Sequence, residues 1–216
     1  MIYAVETGSA GEAAAKEKGW EINSVAAQAD ALMEVEAGTS DAAIVDLLMA
    51  TAMTGEGTSY PDLTYTVKLN TEEYGIGCRK GSDLAAFINN VLAETYADGS
   101  MKKVADTYKL ADAMVEQAAP DANYTVPTDG DVAYIQNKGK LVVGITEFEP
   151  MDYKDASGNW IGFDADMAKL VAEKLGVDIE FTVINWDNKI MELDSKSIDC
   201  VWNGMTLTDE VKNSME

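Results

Sequence analysis

Short apolar runs divided by polar, glycine-bearing joints set the rhythm of this chain. Ile2–Val5 is a short apolar run that reads as a buried strand. Ser9-Ala10-Gly11-Glu12 has the spacing of a capping box and leads an alanine-rich stretch to Lys18 that reads as a helix. Gln28–Glu36 places Ala31, Leu32 and Val35 at helical spacing and stops at Gly38. Ala42–Val45 is a second buried strand, and Leu47–Met53 is apolar enough for a core helix. Residues 55–61 have loop composition. Leu63–Leu69 alternates and predicts a strand, and Tyr74–Cys78 predicts another. Lys80-Gly-Ser-Asp83 caps a helix from Leu84 to about Tyr96, Asp98-Gly99 breaks it, and Met101–Tyr108 makes a further helix. Strand–helix–strand order of this kind favours a mostly parallel sheet with helices on its faces.

From Ala111 to about Asp131 the pattern fades. Pro120, Asp121, Asn123, Pro127, Thr128, Asp129 and Gly130 are linker chemistry, with helix still open for Asp112–Ala118. A second patterned unit follows. Lys140–Ile145 is a strand, residues 154–158 a turn, and Phe163–Leu175 a helix with Met167, Leu170, Val171 and Leu175 on one face. Val177–Ile184 is a strand, Lys189–Leu193 a short helix, Ile198–Trp202 a strand, and Thr208-Asp209-Glu210 the start of a helix the chain hardly completes.

Composition changes this picture by exclusion. A formal net charge of −22 leaves nothing to neutralise a run of phosphates, so nucleic acid is excluded, as is docking on an anionic membrane surface. The plain consequence of that charge is solubility. There is no histidine, which rules out histidine catalysis and histidine metal ligation, and there is one arginine, Arg79. No metal or cofactor is expected. Cys78 and Cys200 are too few for a disulfide framework; each lies in an apolar run, which fits buried free thiols, with a single disulfide as the alternative. No stretch has the apolar length of a membrane span, and the first residues lack the basic region and apolar core of a signal peptide.

Three segments of the second half resemble the periplasmic amino-acid-binding proteins of ABC transporters, solute-binding family 3. The run KLVVGITEFEPMDY from Lys140 to Tyr153 resembles the opening strand and ligand loop. GNWIGFDADMA from Gly158 to Ala168 resembles the segment that starts the first long helix, and IDCVWNGMTLTDE from Ile198 to Glu210 resembles the following strand and threonine loop. The first third resembles the other lobe of the same family. YAVETGSAGE from Tyr3 is similar to its glycine-loop strand, SDAAIVD from Ser40 to the strand ending in the ligand aspartate, and YGIGCRKGSD from Tyr74 to the returning hinge strand. The resemblance implies a two-lobe α/β fold of the type II periplasmic-binding kind, circularly permuted or cut as a slice across two tandem copies. Residues 1–73 would be lobe two, 74–110 the hinge return and C-terminal helices, 111–131 the linker, and 132–216 the start of lobe one. One hinge strand has no counterpart, so lobe two would carry an unpaired edge, a route to a homodimer.

The resemblance also implies a function: binding an amino acid or related amine between the lobes, without catalysis. The parent would be periplasmic, extracellular or lipid-anchored and would deliver its ligand to a membrane permease. Asp46 ends an apolar strand, where α/β sheets place binding groups, and by resemblance meets the ligand ammonium; it is also placed to cap the helix from Leu47. Ser9 and Ala10, at a helix N-terminus, would hold the ligand carboxylate, although Ser9 is equally placed to cap its own helix. Gly204 and Thr206 would add a carbonyl and a hydroxyl, and Phe148 and Trp186 would wall the side chain. Glu147, Asn203 and Asp152 are weaker selectivity candidates; Trp160 and Trp202 read as packing. Where the family usually carries a carboxylate-clamping arginine, this chain has Val211, so Arg79 is the one guanidinium able to replace it. Glu6 and Glu147 would suit a cationic ligand better than an anionic one. Two rivals stand beside this reading: a cleft enzyme such as a dehydratase on the same fold, and a permuted fragment that has lost binding and completes itself by dimerising.

Overall fold

A computed structural model describes residues 1–216. The chain builds two α/β units. In the first, β1 (Ile2–Glu6), α1 (Ala10–Glu17), β2 (Glu21–Val25), α2 (Gln28–Glu36), β3 (Ala42–Ala43) and α3 (Leu47–Met53) follow in order. The sheet order is β2-β1-β3, all parallel. β2 goes beyond the apolar pattern: Glu21-Ile-Asn-Ser-Val25 is largely polar, and its place is set by pairing along the whole of β1. β3 has only two paired residues and no neighbour on its outer side.

The chain then crosses once to the second unit, through residues 54–73. The alternation of Leu63–Leu69 predicted a strand, but the segment pairs with nothing. From Thr64 to Asn70 it is exposed, and no backbone hydrogen bond is made from Thr64 to Glu72. Alternation describes a half-buried strand only when a sheet edge is there to receive it, and no strand lies alongside.

The second unit contains β4 (Tyr74–Cys78), α4 (Leu84–Ala97), α5 (Ser100–Thr107), α6 (Gly130–Lys138), β5 (Lys140–Ile145), β6 (Tyr153–Lys154), β7 (Trp160–Ile161), α7 (Phe163–Leu175), β8 (Asp178–Val183), α8 (Lys189–Asp194), β9 (Cys200–Thr206) and α9 (Asp209–Ser214). Its main sheet runs β4-β9-β5-β8, with β4 antiparallel to β9 and the other pairs parallel; β6 and β7 form a small antiparallel ribbon. β4 thus joins a sheet otherwise made of residues more than sixty positions further on. Its core draws on Leu84, Ile88, Val91, Ile135, Leu141, Val143, Met167 and Val171, with α6 and α7 packed on β5 and α4 packed on β4 and against both helices.

Residues 111–131 form one 3-10 turn at Ala111–Ala113 and otherwise irregular chain, so the helix left open for Asp112–Ala118 does not form. The end of that stretch already belongs to α6. Asp83 stands at the N-cap position of α4 but does not cap it; its Oδ1 accepts the Asp131 and Val132 N–H groups at 2.8 and 3.0 Å, capping α6 instead. Chain continuity alone would not reveal a cap supplied from a helix 48 positions away. α9 is a complete short helix: Thr208 caps it through the Val211 N–H, and Glu216 pairs its backbone with Cys78.

Candidate functional site

In the first unit the parallel sheet carries β1 and β3 to the same edge, so the residues just past each strand end come together. β1 ends in Glu6, which is buried. Asp46 lies between β3 and α3 at the N-cap position, yet its side chain makes no cap bond. Gln28, at the start of α2, holds it instead: Gln28 Oε1 accepts the Asp46 N–H at 2.9 Å, and Gln28 Nε2 donates to Asp46 Oδ2 at 2.5 Å. Burial raises the Asp46 carboxyl to about 7, opposed by the Gln28 hydrogen bond and reinforced by Glu72. Glu6 is raised to about 8, by burial first, then by Asp46, with Lys189 opposing. Glu6 Oε1 is buried and has no hydrogen-bond partner.

Ser9 caps α1 by accepting the Glu12 N–H at 3.0 Å. Glu12 does not close the usual box. Its carboxylate reaches one residue further back, to the Gly8 N–H at 3.0 Å. The N–H groups of Ala10 and Gly11 donate to nothing in the protein. The first turn of this helix therefore presents both an oriented dipole end and free donors.

The second unit faces this edge with β9. Its pairing to β4 shifts between Gly75, opposite Met205, and Gly77, opposite Val201. Trp202, Asn203 and Gly204 therefore stand against the single residue Ile76 and form a bulge that re-aims the strand. Gly204 has φ +58°, and a β-carbon there would lie 2.5 Å from Cε1 of Phe148, so only glycine lets that ring close over the strand. The Gly204 N–H donates to Asp164 Oδ2 at 2.6 Å. Asp164 is raised to about 6 by burial, against the pull of that bond. Asn203 is spent on structure, accepting the Thr146 N–H at 2.9 Å and donating to Thr146 Oγ1 at 2.7 Å. Thr206 donates to Glu72 at 2.8 Å, which ties the crossing segment to the strand. Phe148 is buried in edge contact with Tyr74, at 6.2 Å between ring centres. Trp186 is buried with the Lys189 ammonium 4.9 Å over its ring, and that ammonium also donates to the Gly8 carbonyl of the first unit at 3.4 Å.

A cleft of about 1810 Å³ lies between the units. Of the residues expected at a site, Asp46, Ser9, Ala10, Phe148, Trp186, Asn203, Gly204 and Thr206 line it. Three others are elsewhere. Arg79 is buried with its Nε on Asp131 at 3.0 Å, Nη1 on the Ile198 carbonyl at 2.7 Å and Nη2 3.5 Å from Asp199; it holds the sheet together and does not line this cleft. The expectation that Arg79 replaces the missing arginine fails, because its donors are turned to the protein. Glu147 points to solvent outside the cleft. Asp152 lies beneath the surface with both carboxylate oxygens unpartnered, raised well above the ordinary range by burial and then by Asp164.

Several cleft residues had no sequence signal. Gln28 looked like an ordinary helix residue, Glu72 sits in the crossing segment, and Tyr74 reaches the site only because β4 pairs with β9. Lys189 precedes an apolar pair and reads as the solvated edge of a helix. Glu6, Asp46 and Glu72 together make the wall acidic, yet no group of acidic residues is arranged as a metal-ion ligand set.

Residues 141–216 match the bacterial extracellular solute-binding proteins, family 3. The chain is 38% identical over 80 residues to an arginine-binding extracellular protein of Bacillus subtilis, covering 37% of this chain and 31% of that one. It is 30% identical over 77 residues to a cyclohexadienyl dehydratase of Pseudomonas aeruginosa, covering 35% and 29%. A crystal structure of the arginine-bound domain 1 of TmArgBP is 40% identical, with 37% of this chain and 64% of that chain covered and a TM-score of 0.36. The chain spans about a third of the length of the curated relatives it matches. The family segment coincides with the second unit from β5 onward.

Proposed function

We propose that this chain binds a small cationic amino acid, or a related amine, in the cleft between its two units and performs no chemistry on it. The observation that carries this reading is the buried, unpartnered Glu6 Oε1 beside Asp46. A buried carboxylate without a partner is costly, and a ligand ammonium or guanidinium supplies what is missing. On this reading Glu6 and Asp46 take the ligand's positive groups, and the aromatic faces of Trp186 and Phe148 pack its alkyl stem. The free N–H groups of Ala10 and Gly11 take its carboxylate, in place of the arginine whose position is Val211. The Gly204 carbonyl and Thr206 hydroxyl complete the shell from the second unit. The matched relatives support the amino-acid class, since one of them is named for arginine. They also include a dehydratase, so the fold alone does not exclude catalysis.

The wider setting follows from the same reading. Residues 1–110 would be lobe two and the closing elements of a permuted solute receptor, working outside the cytoplasmic membrane with an ABC permease. Ligand contacts from both units would favour the closed arrangement. Calorimetric titration with arginine, lysine, histidine, glutamate and putrescine tests it. Heat with the cations and none with glutamate is expected. No heat with any cation, from a folded monomer, overturns it. The two-residue β3 with its open outer edge favours one second reading, a dimer through that edge. Light scattering at rising concentration separates the two.

A further inference from the structure

Cys78 and Cys200 close the ladder between β4 and β9, and they stand directly opposite each other in the antiparallel register. Both thiols are free and fully buried, and both enter the same core cluster, so they leave their strands on the same face. The backbone says which kind of pair they form. The Cys78 N–H donates to the Glu216 carbonyl at 2.9 Å, and the Cys78 carbonyl accepts the Glu216 N–H at 3.0 Å. Cys78 thus spends both backbone groups on the side away from β9, and Cys200 meets β5 on its own far side, paired there to Val143. The two cysteines are a non-hydrogen-bonded pair, the class with the closest side chains and an α-carbon separation of about 4.5 Å. A disulfide accepts α-carbon separations from about 4.4 to 6.8 Å. The chain offers no other sulfhydryl to either residue.

We propose that Cys78 and Cys200 are a redox modification site that forms a cross-strand disulfide. The oxidant is a small-molecule disulfide such as oxidised glutathione. The thiolate of one cysteine attacks a glutathione sulfur, forming a mixed disulfide and releasing one glutathione thiolate. The second cysteine's thiolate then attacks the protein sulfur of that mixed disulfide and releases the second glutathione. Two protein thiols lose two protons and two electrons, and one glutathione disulfide becomes two thiols. Burial raises both thiols, so exchange is slow in the closed sheet and proceeds while the chain folds or when β4 frays. The bond would staple β4 to β9 at the end of the ladder opposite Tyr74 and Thr206. It would fix the register of the bulge that carries Asn203 and Gly204.

The test is to unfold the reduced chain in urea, refold it in a glutathione redox mixture, alkylate it and weigh it. The proposal expects a mass about 2 Da below the reduced chain, no alkylated cysteine and one linked peptide pair holding residues 78 and 200. Because the bond closes a loop of over a hundred residues, the Tm should rise by about 5–10 °C. Two alkylated cysteines, or a separate glutathione on each, overturns it. Cys78→Ser under the same treatment should carry one glutathione and no link. Prolonged incubation of the native chain with oxidised glutathione gives the same readout without refolding, and the linked peptide pair is expected there as well.

Discussion

At Glu6 a carboxyl is held in the protein without a partner for one of its oxygens, and its proton stays on to about pH 8. Asp46 beside it titrates near 7. Unfolded, both release their protons near the ordinary carboxylate values of 4.5 and 3.8. Between those values and 7 to 8 the native state binds more protons than the unfolded one, so stability falls as pH rises across that window. A cationic ligand needs the charged forms, so its binding should tighten from pH 6 to 9 and release protons. Calorimetry in two buffers of different ionisation heat measures that release. Glu6→Gln should weaken arginine binding about 10- to 100-fold, the worth of a charge-assisted hydrogen bond, and flatten the pH dependence. An unchanged affinity would remove Glu6 from the site. Gly204 makes a different demand. Gly204→Ala puts a β-carbon at φ +58° and into the Phe148 ring, and should cost about 2–4 kcal/mol in urea unfolding.

Among the elements, β4 shows how one strand couples two tasks. Its N-terminal end brings Tyr74 to the cleft, and just past its C-terminal end Arg79 enters a buried charge cluster with Asp131, Asp199 and Lys138. Asp199 is fully buried, with Lys138 at 2.7 Å and the Val142 N–H at 2.7 Å. Removing one member of a buried pair leaves the others uncompensated. Arg79→Met should therefore lower unfolding stability by about 3–5 kcal/mol while leaving arginine affinity of the folded fraction unchanged. A large loss of affinity at constant stability would return Arg79 to the ligand. Element type was legible wherever an apolar stripe was long, as in α4 and α7. It was not legible in β2, whose polar residues are strand only because β1 lies beside them. The segment Leu63–Leu69 failed in the opposite direction, with the pattern present and the segment laid against no sheet edge.

Taken whole, the molecule is two units of unequal strength joined by one crossing. The first unit buries chiefly small side chains: Ala4, Val5, Ala15, Ala31, Leu32, Met49 and Ala50. A unit this short with so little apolar volume is marginal by itself. Leu32 and Met49 complete their packing against Phe148, Met151 and Leu110 of the second unit. Expressed alone, residues 74–216 should give a cooperative melt by circular dichroism, and residues 1–62 should not. A cooperative melt from the short fragment would show that its core suffices.

Much of this was determined by the sequence alone. The apolar runs fixed an α/β protein, the loss of pattern after Ala111 marked the irregular stretch, and the motifs from Lys140 to Glu210 pointed to the family that residues 141–216 match. Asp46, Ser9 and Gly204 were named from the resemblance, with Asp46 also marked by its place at a strand end and Ser9 by its place at a helix start. Tertiary structure decided the rest. It showed that Asp46 is held by Gln28 instead of capping α3, that Asp83 caps a distant helix, and that Arg79 serves the sheet. It also set the lone oxygen of Glu6 in a cleft wall beside Asp46 and placed the two cysteines face to face. Each of these depends on which polar group lies within about 3 Å of another across a long stretch of chain. Local periodicity reports which face of an element is buried, but not what that face will meet.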